Sequence, residues 1–266
     1  MTFSTEDPFF GPIPPTVPLP KTPLACVLVQ IKFPEILSVA KTEFIADFQE
    51  CIRADYPFMQ KEQNPVWEVM NGDVRESVTQ NWRFFDKKRQ WRLSLATNFV
   101  ALETRAYQSR ADFIQRIAGV AQALSATINP GVMTRIGVRY VDQIRGPQLE
   151  QLSRFVRPEI LGLYMGNHRN NLDHTLSETV AKTDVGSITS RWGFMPANQT
   201  HDPDLMPPTS APSWFLDVDL YIEFEQPEIF GADEIGTRVM KLTARAYGFF
   251  RWAVNDKFLR QCGGEI

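Results

Sequence analysis

At 266 residues, with 43% hydrophobic and 22% charged residues, the chain has the composition of a folded globular protein and enough material to bury a core unaided by disulfides. Lys and Arg number 28 against 31 Asp and Glu, a formal charge of −3, so no global basic field favours nucleic acid. Three far-apart cysteines, Cys26, Cys51 and Cys262, lack zinc or dithiol spacing, and no apolar run nears the ~20 residues of a membrane span, which argues against a metal, another cofactor or a membrane protein.

In chain order, residues 1–24 form a proline-rich arm carrying Pro8, Pro12, Pro14, Pro15, Pro18, Pro20 and Pro23, biased to extended conformations and expected to lie over the domain surface. Its leading MTFSTEDPFF is acidic where a signal peptide is basic, which predicts a cytoplasmic protein. A first half, 25–146, then opens with a strand at 26–33 and a helix over 34–54. Short strands follow at 67–70, 81–85, 91–96 and 99–107, with the polar connection Asp86-Lys87-Lys88-Arg89-Gln90. A helix at 109–128 starts on a capping signal, Ser109 with Asp112, and ends at Asn129-Pro130-Gly131, before a strand at 134–144.

The second half, 147–266, begins with short helical pieces and offers strands near 172–182, 187–194 and 214–225, then a long amphipathic helix at 233–259. Between the last two strands, residues 196–212 hold five prolines and read as an exposed loop. The expected fold class is α+β: antiparallel sheets packed with long amphipathic helices, in two related layers.

Chemistry-bearing residues concentrate in three places. Strand 134–144 puts Arg135 and Arg139 on one face, and Glu103 on a preceding strand could pair with either; the group reads as a register-fixing ion-pair ladder or as an arginine fork for carboxylate or phosphate. Strand 214–225 alternates cleanly, with Asp217 and Asp219 on its acidic face, which reads as a solvated face, as one that pairs with basic side chains of a neighbouring strand, or as ligands for a hard cation. The hairpin NWRFFDKKRQWRL interleaves Trp82 and Trp91 with Arg83, Lys87, Lys88 and Arg89, a chemistry shared by single-stranded nucleic-acid platforms and by ordinary hairpins. The histidines His168, His174 and His201 have no metal-type spacing, and no nucleophile elbow, P-loop or dinucleotide fingerprint occurs, so no catalytic residue is assigned.

The succession VQIKFPEIL, FQE-x-IR-x-DYP, WRFFDKKRQWRLSLATNFVALET and RIGVRYVDQI, within residues 24–146, resembles a family of uncharacterised bacterial and archaeal proteins of about this length, sporadically distributed among genomes. Such a distribution fits mobile or defence-linked genes. The expectation is therefore a non-catalytic binding or regulatory protein, a subunit of a bacterial defence or toxin–antitoxin-like module, with a protein partner or a second copy of itself. The alternative is an enzyme for a phosphorylated or nucleotide-like substrate, which requires Arg135, Arg139, Asp217 and Asp219 to converge in one cleft.

Overall fold

A computed structural model describes residues 7–70, 73–166 and 169–266, and the side chains among them outside 64–79. In chain order the elements are β1 (Leu24–Lys32), α1 (Thr42–Ile52), β2 (Phe58–Met70), β3 (Asp73–Phe85), β4 (Trp91–Ala96), β5 (Phe99–Thr104), α2 (Arg110–Thr127), β6 (Val132–Arg145), α3 (Pro147–Glu150), β7 (Ser177–Thr183), β8 (Gly186–Met195), β9 (Ser213–Ile229), α4 (Ala232–Ala253) and α5 (Asp256–Gln261). The nine strands make one large antiparallel sheet in the order β2-β3-β4-β5-β1-β6-β9-β8-β7.

This corrects the expected fold class. Instead of sheets packed with long helices in two layers there is a single sheet, and the helices are few and mostly short. Alternation along a strand tells which side chains share a face, but not which strand lies beside it. Strand β9 illustrates the point: residues 213–218 are buried on both faces, Phe215 and Asp217 as fully as Trp214 and Leu216. That marks an interior strand, where the sequence pattern leaves the acidic face open to solvent or to basic side chains of a neighbouring strand.

Two compact units partition the chain, one comprising Met1–Val27, Val138–Ile222 and Lys241–Ile266, the other Leu28–Gly137 and Glu223–Met240. In the second unit β2 and β3 form one long hairpin, in register from Phe58↔Phe85 to Met70↔Asp73, where the sequence predicts only short strands. Helix α1 packs through Phe48 edge-on against Phe84 of β3 at 5.9 Å. Helix α2 starts where its sequence requires, the Ser109 side chain accepting from the Asp112 amide at 3.1 Å, and it stacks Phe113 on Trp91.

In the first unit the β7–β8 hairpin turns through Asp184 and Val185, with Thr183 opposite Gly186. Gly193 of β8 admits a close approach: a Cβ there would lie 1.8 Å from the Thr175 carbonyl oxygen, so Thr175 and Leu176 press on the strand, and β7 starts at Ser177. The predicted helix at 233–259 is two helices. Asn255 interrupts it, its side chain accepting from the Phe258 amide to cap α5 and donating to the Arg154 carbonyl at 2.7 Å. The proline arm is anchored: the Tyr247 hydroxyl of α4 accepts from the Val17 amide and donates to the Pro15 carbonyl, while Arg245 donates to the Gly11 carbonyl at 2.8 Å. Among the described residues no helix is long and apolar enough to cross a membrane.

Candidate functional site

A dense polar cluster lies in the first unit, on the odd-numbered face of β9. Strand register places Arg191 of β8 opposite Asp217 of β9, and Glu178 of β7 opposite Arg191. From β6, Arg139 meets Asp217 as a two-pronged fork, Nε to Oδ1 at 2.7 Å and Nη2 to Oδ2 at 2.6 Å. The result is a row of alternating sign, Arg139, Asp217, Arg191 and Glu178, across four strands; Arg191 donates to Glu178 at 2.7 Å and stands 3.9 Å from Asp217.

The proline-rich loop 196–212 closes over this row. Its backbone is pinned by the Thr200 hydroxyl, which donates to the Met206 carbonyl, and by the Met206 amide on the Asp202 carbonyl. Leu205 and Met206 are buried, so the loop is not the wholly exposed segment that its composition predicts. It delivers two more groups: Asp202 pairs with Arg139 at 2.8 Å, and His201 Nε2 lies 3.1 Å from Asp217 Oδ2. The imidazole stacks on Phe215 with centroids 4.3 Å apart, and its buried Nδ1 has no hydrogen-bond partner.

Electrostatics follow from these contacts. Burial pushes the Asp217 carboxyl up, but the hydrogen bonds and charges of Arg139 and His201 outweigh burial and hold it below the ordinary range. Burial lowers Arg139, yet Asp217 and Asp202 raise it further, so the fork is always charged. Three residues along β6, and therefore on its opposite face, Asp142 is buried with no ion-pair partner among the described residues. Burial and the Asp217 charge push its carboxyl up to about 7. Burial and Asp142 in turn raise the Cys262 thiol to about 11, far from a reactive thiolate.

The other sequence candidates fall elsewhere. Glu103 pairs with Arg92 at 2.6 Å, not with Arg135 or Arg139, because β1 lies between β5 and β6 in the sheet order. Arg135 reaches Gln30 at 3.4 Å and Glu223 at 3.9 Å. Asp219 is half-buried opposite Thr189, while the Asp217 carboxylate is directed to Arg139 and His201; among the described residues no group of three His, Cys, Asp or Glu could hold a metal.

In the β3–β4 hairpin, Trp82 is buried and donates to the Val39 carbonyl at 2.7 Å, and Trp91 is buried under Arg116 at 4.4 Å. Arg83 pairs with Glu62, Arg89 packs over Phe58 and Phe85, and Lys87 and Lys88 are exposed in the turn. His174 is exposed, and His168 lies outside the described residues.

Sequence reasoning missed the His201–Asp217 contact, since nothing in a loop sequence says where its histidine folds back. It also missed Arg245, buried on α4 and forked onto Asp184 at 2.8 and 2.7 Å; its position three residues after buried Leu242, inside the apolar stripe, was the available signal. Among the described residues of this unit lie a cavity of about 280 Å³ between the proline arm and Trp252 and one of about 470 Å³ beside Pro147 and Pro212, and neither is lined by the charge row. No family model matches the chain, and no curated protein matches it.

Proposed function

We propose that this is a non-catalytic binding or regulatory protein that works through contact with another protein chain, as a subunit of a bacterial defence or toxin–antitoxin-like module. The observation that supports this most is that Arg139, the best candidate for gripping a ligand anion, is filled by the chain's own carboxylates, Asp217 through two hydrogen bonds and Asp202 through one ion pair. A fork so occupied fixes a loop to a sheet; a phosphate would have to displace two carboxylates, one of them fully buried. The rival enzyme needs Arg139 and Asp217 open to substrate and metal, and they occupy each other.

The test is thermal unfolding against nucleotides, phosphorylated metabolites, and short single-stranded DNA and RNA, each with and without magnesium. Anything that binds only the native state raises its melting temperature, so a flat panel is expected and a ligand-specific rise of several degrees overturns the proposal.

A further inference from the structure

Strand β7 ends the sheet order, and among the described residues nothing pairs with its outer edge. A two-residue turn makes Thr183 and Gly186 a hydrogen-bonded pair, so hydrogen-bonded and open positions then alternate back along the strand. Ser177, Thr179, Ala181 and Thr183 bond to β8; Glu178, Val180 and Lys182 turn their amides and carbonyls outward. These three are exposed, Val180 by 63%, and Leu176 just before them by 53%. A long, uncovered edge with apolar side chains is a template for another strand: β7 contains no proline and no bulge, and the two charges that stand on it, Glu178 and Lys182, are of opposite sign.

We infer that this edge is the docking surface for a second copy of the chain, the two β7 strands pairing antiparallel about a two-fold axis through Val180. The strand reads Ser-Glu-Thr-Val-Ala-Lys-Thr and is complementary to itself. In that register Val180 faces Val180, each Glu178 faces the other copy's Lys182, and all three outward residues of each strand exchange backbone hydrogen bonds. Shifting by two residues either way breaks both Glu–Lys matches, and shifting by four sets Glu178 against Glu178 or Lys182 against Lys182. Charge thus selects one register out of those the backbone allows.

A second observation points the same way. The row Arg139, Asp217, Arg191, Glu178 alternates in sign strand by strand and stops at a carboxylate that is half exposed at the sheet edge. The next strand should present a cation on that face, and the other copy's Lys182 does so. The joined sheets would run continuously through both chains. This names the partner within the binding-protein proposal and rests on it only in needing no catalytic site.

Sedimentation of the full chain over a range of concentrations tests the inference, with Glu178→Lys, Lys182→Glu and an equimolar mixture of the two. Either single change sets like charges opposite each other twice and should raise the dimer dissociation constant about tenfold. The mixture should recover the dimer, because one chain then carries lysine at both positions, the other carries glutamate at both, and every facing pair is again of opposite sign. Melting curves on each variant separate loss of pairing from loss of fold; if Glu178→Lys fails to fold for want of its Arg191 contact, Lys182→Glu alone carries the test. A wild-type chain that stays monomeric at the highest concentration reached, or a dimer indifferent to both changes, overturns the β7 interface. Neither result touches the binding-protein reading, whose own failure would be a ligand-specific rise in melting temperature.

Discussion

Asp217 in one unit and Glu103 in the other are both buried carboxylates on interior strands, both bonded to an arginine at 2.6 Å, and their acidities move in opposite directions. Burial raises both. At Glu103 the opposing charge is mainly Arg92, and burial wins. At Asp217 a two-pronged bond from Arg139, the His201 hydrogen bond and their charges overcome it. An ion pair in a sheet therefore has no fixed meaning. The number of donors converging on the carboxylate decides whether the interior holds it as an anion.

The sharpest way to break this contrast is Asp217→Asn. Removing the anion breaks the two-pronged bond and leaves Arg139 with Asp202 alone, beside Arg191 and His201; breaking a buried pair costs about 3–5 kcal/mol. Urea unfolding should show that loss without a change in slope, and loop 196–212 should become sensitive to protease. A loss below about 1 kcal/mol would mean that the row contributes little and that the loop is held by Leu205 and Met206 instead.

The next effect has the opposite sign. Asp142 carries a pKa of about 7 against an ordinary 3.8, so the native state holds its proton more tightly than the unfolded chain does. Its contribution to stability is complete below pH 4, declines as pH rises to about 7, and is flat above that. Asp142→Asn removes the decline and should stabilise the protein at pH 8 by up to about 4 kcal/mol. Asp217 behaves inversely: its contribution is present above the ordinary carboxylate range and is lost as pH falls through its lowered value. A pH series of melting temperatures on wild type and both variants separates the two. If Asp142→Asn leaves the neutral-pH slope unchanged, the buried carboxyl is solvated after all.

A smaller effect is expected for His201→Ala, which removes the hydrogen bond to Asp217 and the stack on Phe215 but leaves the arginine fork intact. A loss of about 1–2 kcal/mol with faster proteolysis of the loop is the expected outcome. Proteolysis no faster than wild type would show that Asp202 and the buried Leu205 and Met206 suffice to hold the loop.

How much of this was legible beforehand differs by level. Local features were: Ser109 caps α2, and strands 91–96 and 134–144 fall close to β4 and β6. Those depend on neighbours in sequence, where propensity and alternation act. The single sheet was not legible, because the order β5-β1-β6-β9 depends on which distant strands pair. The site was half legible. Arg139 and Asp217 stood out as charges in apolar strands, but their pairing spans 78 positions and the histidine that joins them sits in an irregular loop. Glu103 shows the converse: its pairing with Arg135 or Arg139 was open only if its strand lay beside β6, and with β1 between them its partner is Arg92.

Glu103→Gln is the mildest of these changes and tests the contrast at its other end. The amide keeps an acceptor for Arg92, whose side chain is about one-fifth exposed and so keeps access to water, and it relieves the interior of a charge that burial disfavours. These two effects nearly cancel, so the expected change at neutral pH lies within about 1 kcal/mol, several-fold below that of Asp217→Asn. Because Glu103 is raised, its favourable contribution belongs to the acid side and fades as pH climbs through its folded value, so the glutamine variant should gain on wild type toward higher pH. A loss as large as that of Asp217→Asn would mean that a single arginine neutralises a buried carboxylate as fully as a converging set of donors, and the distinction between the two regions would collapse.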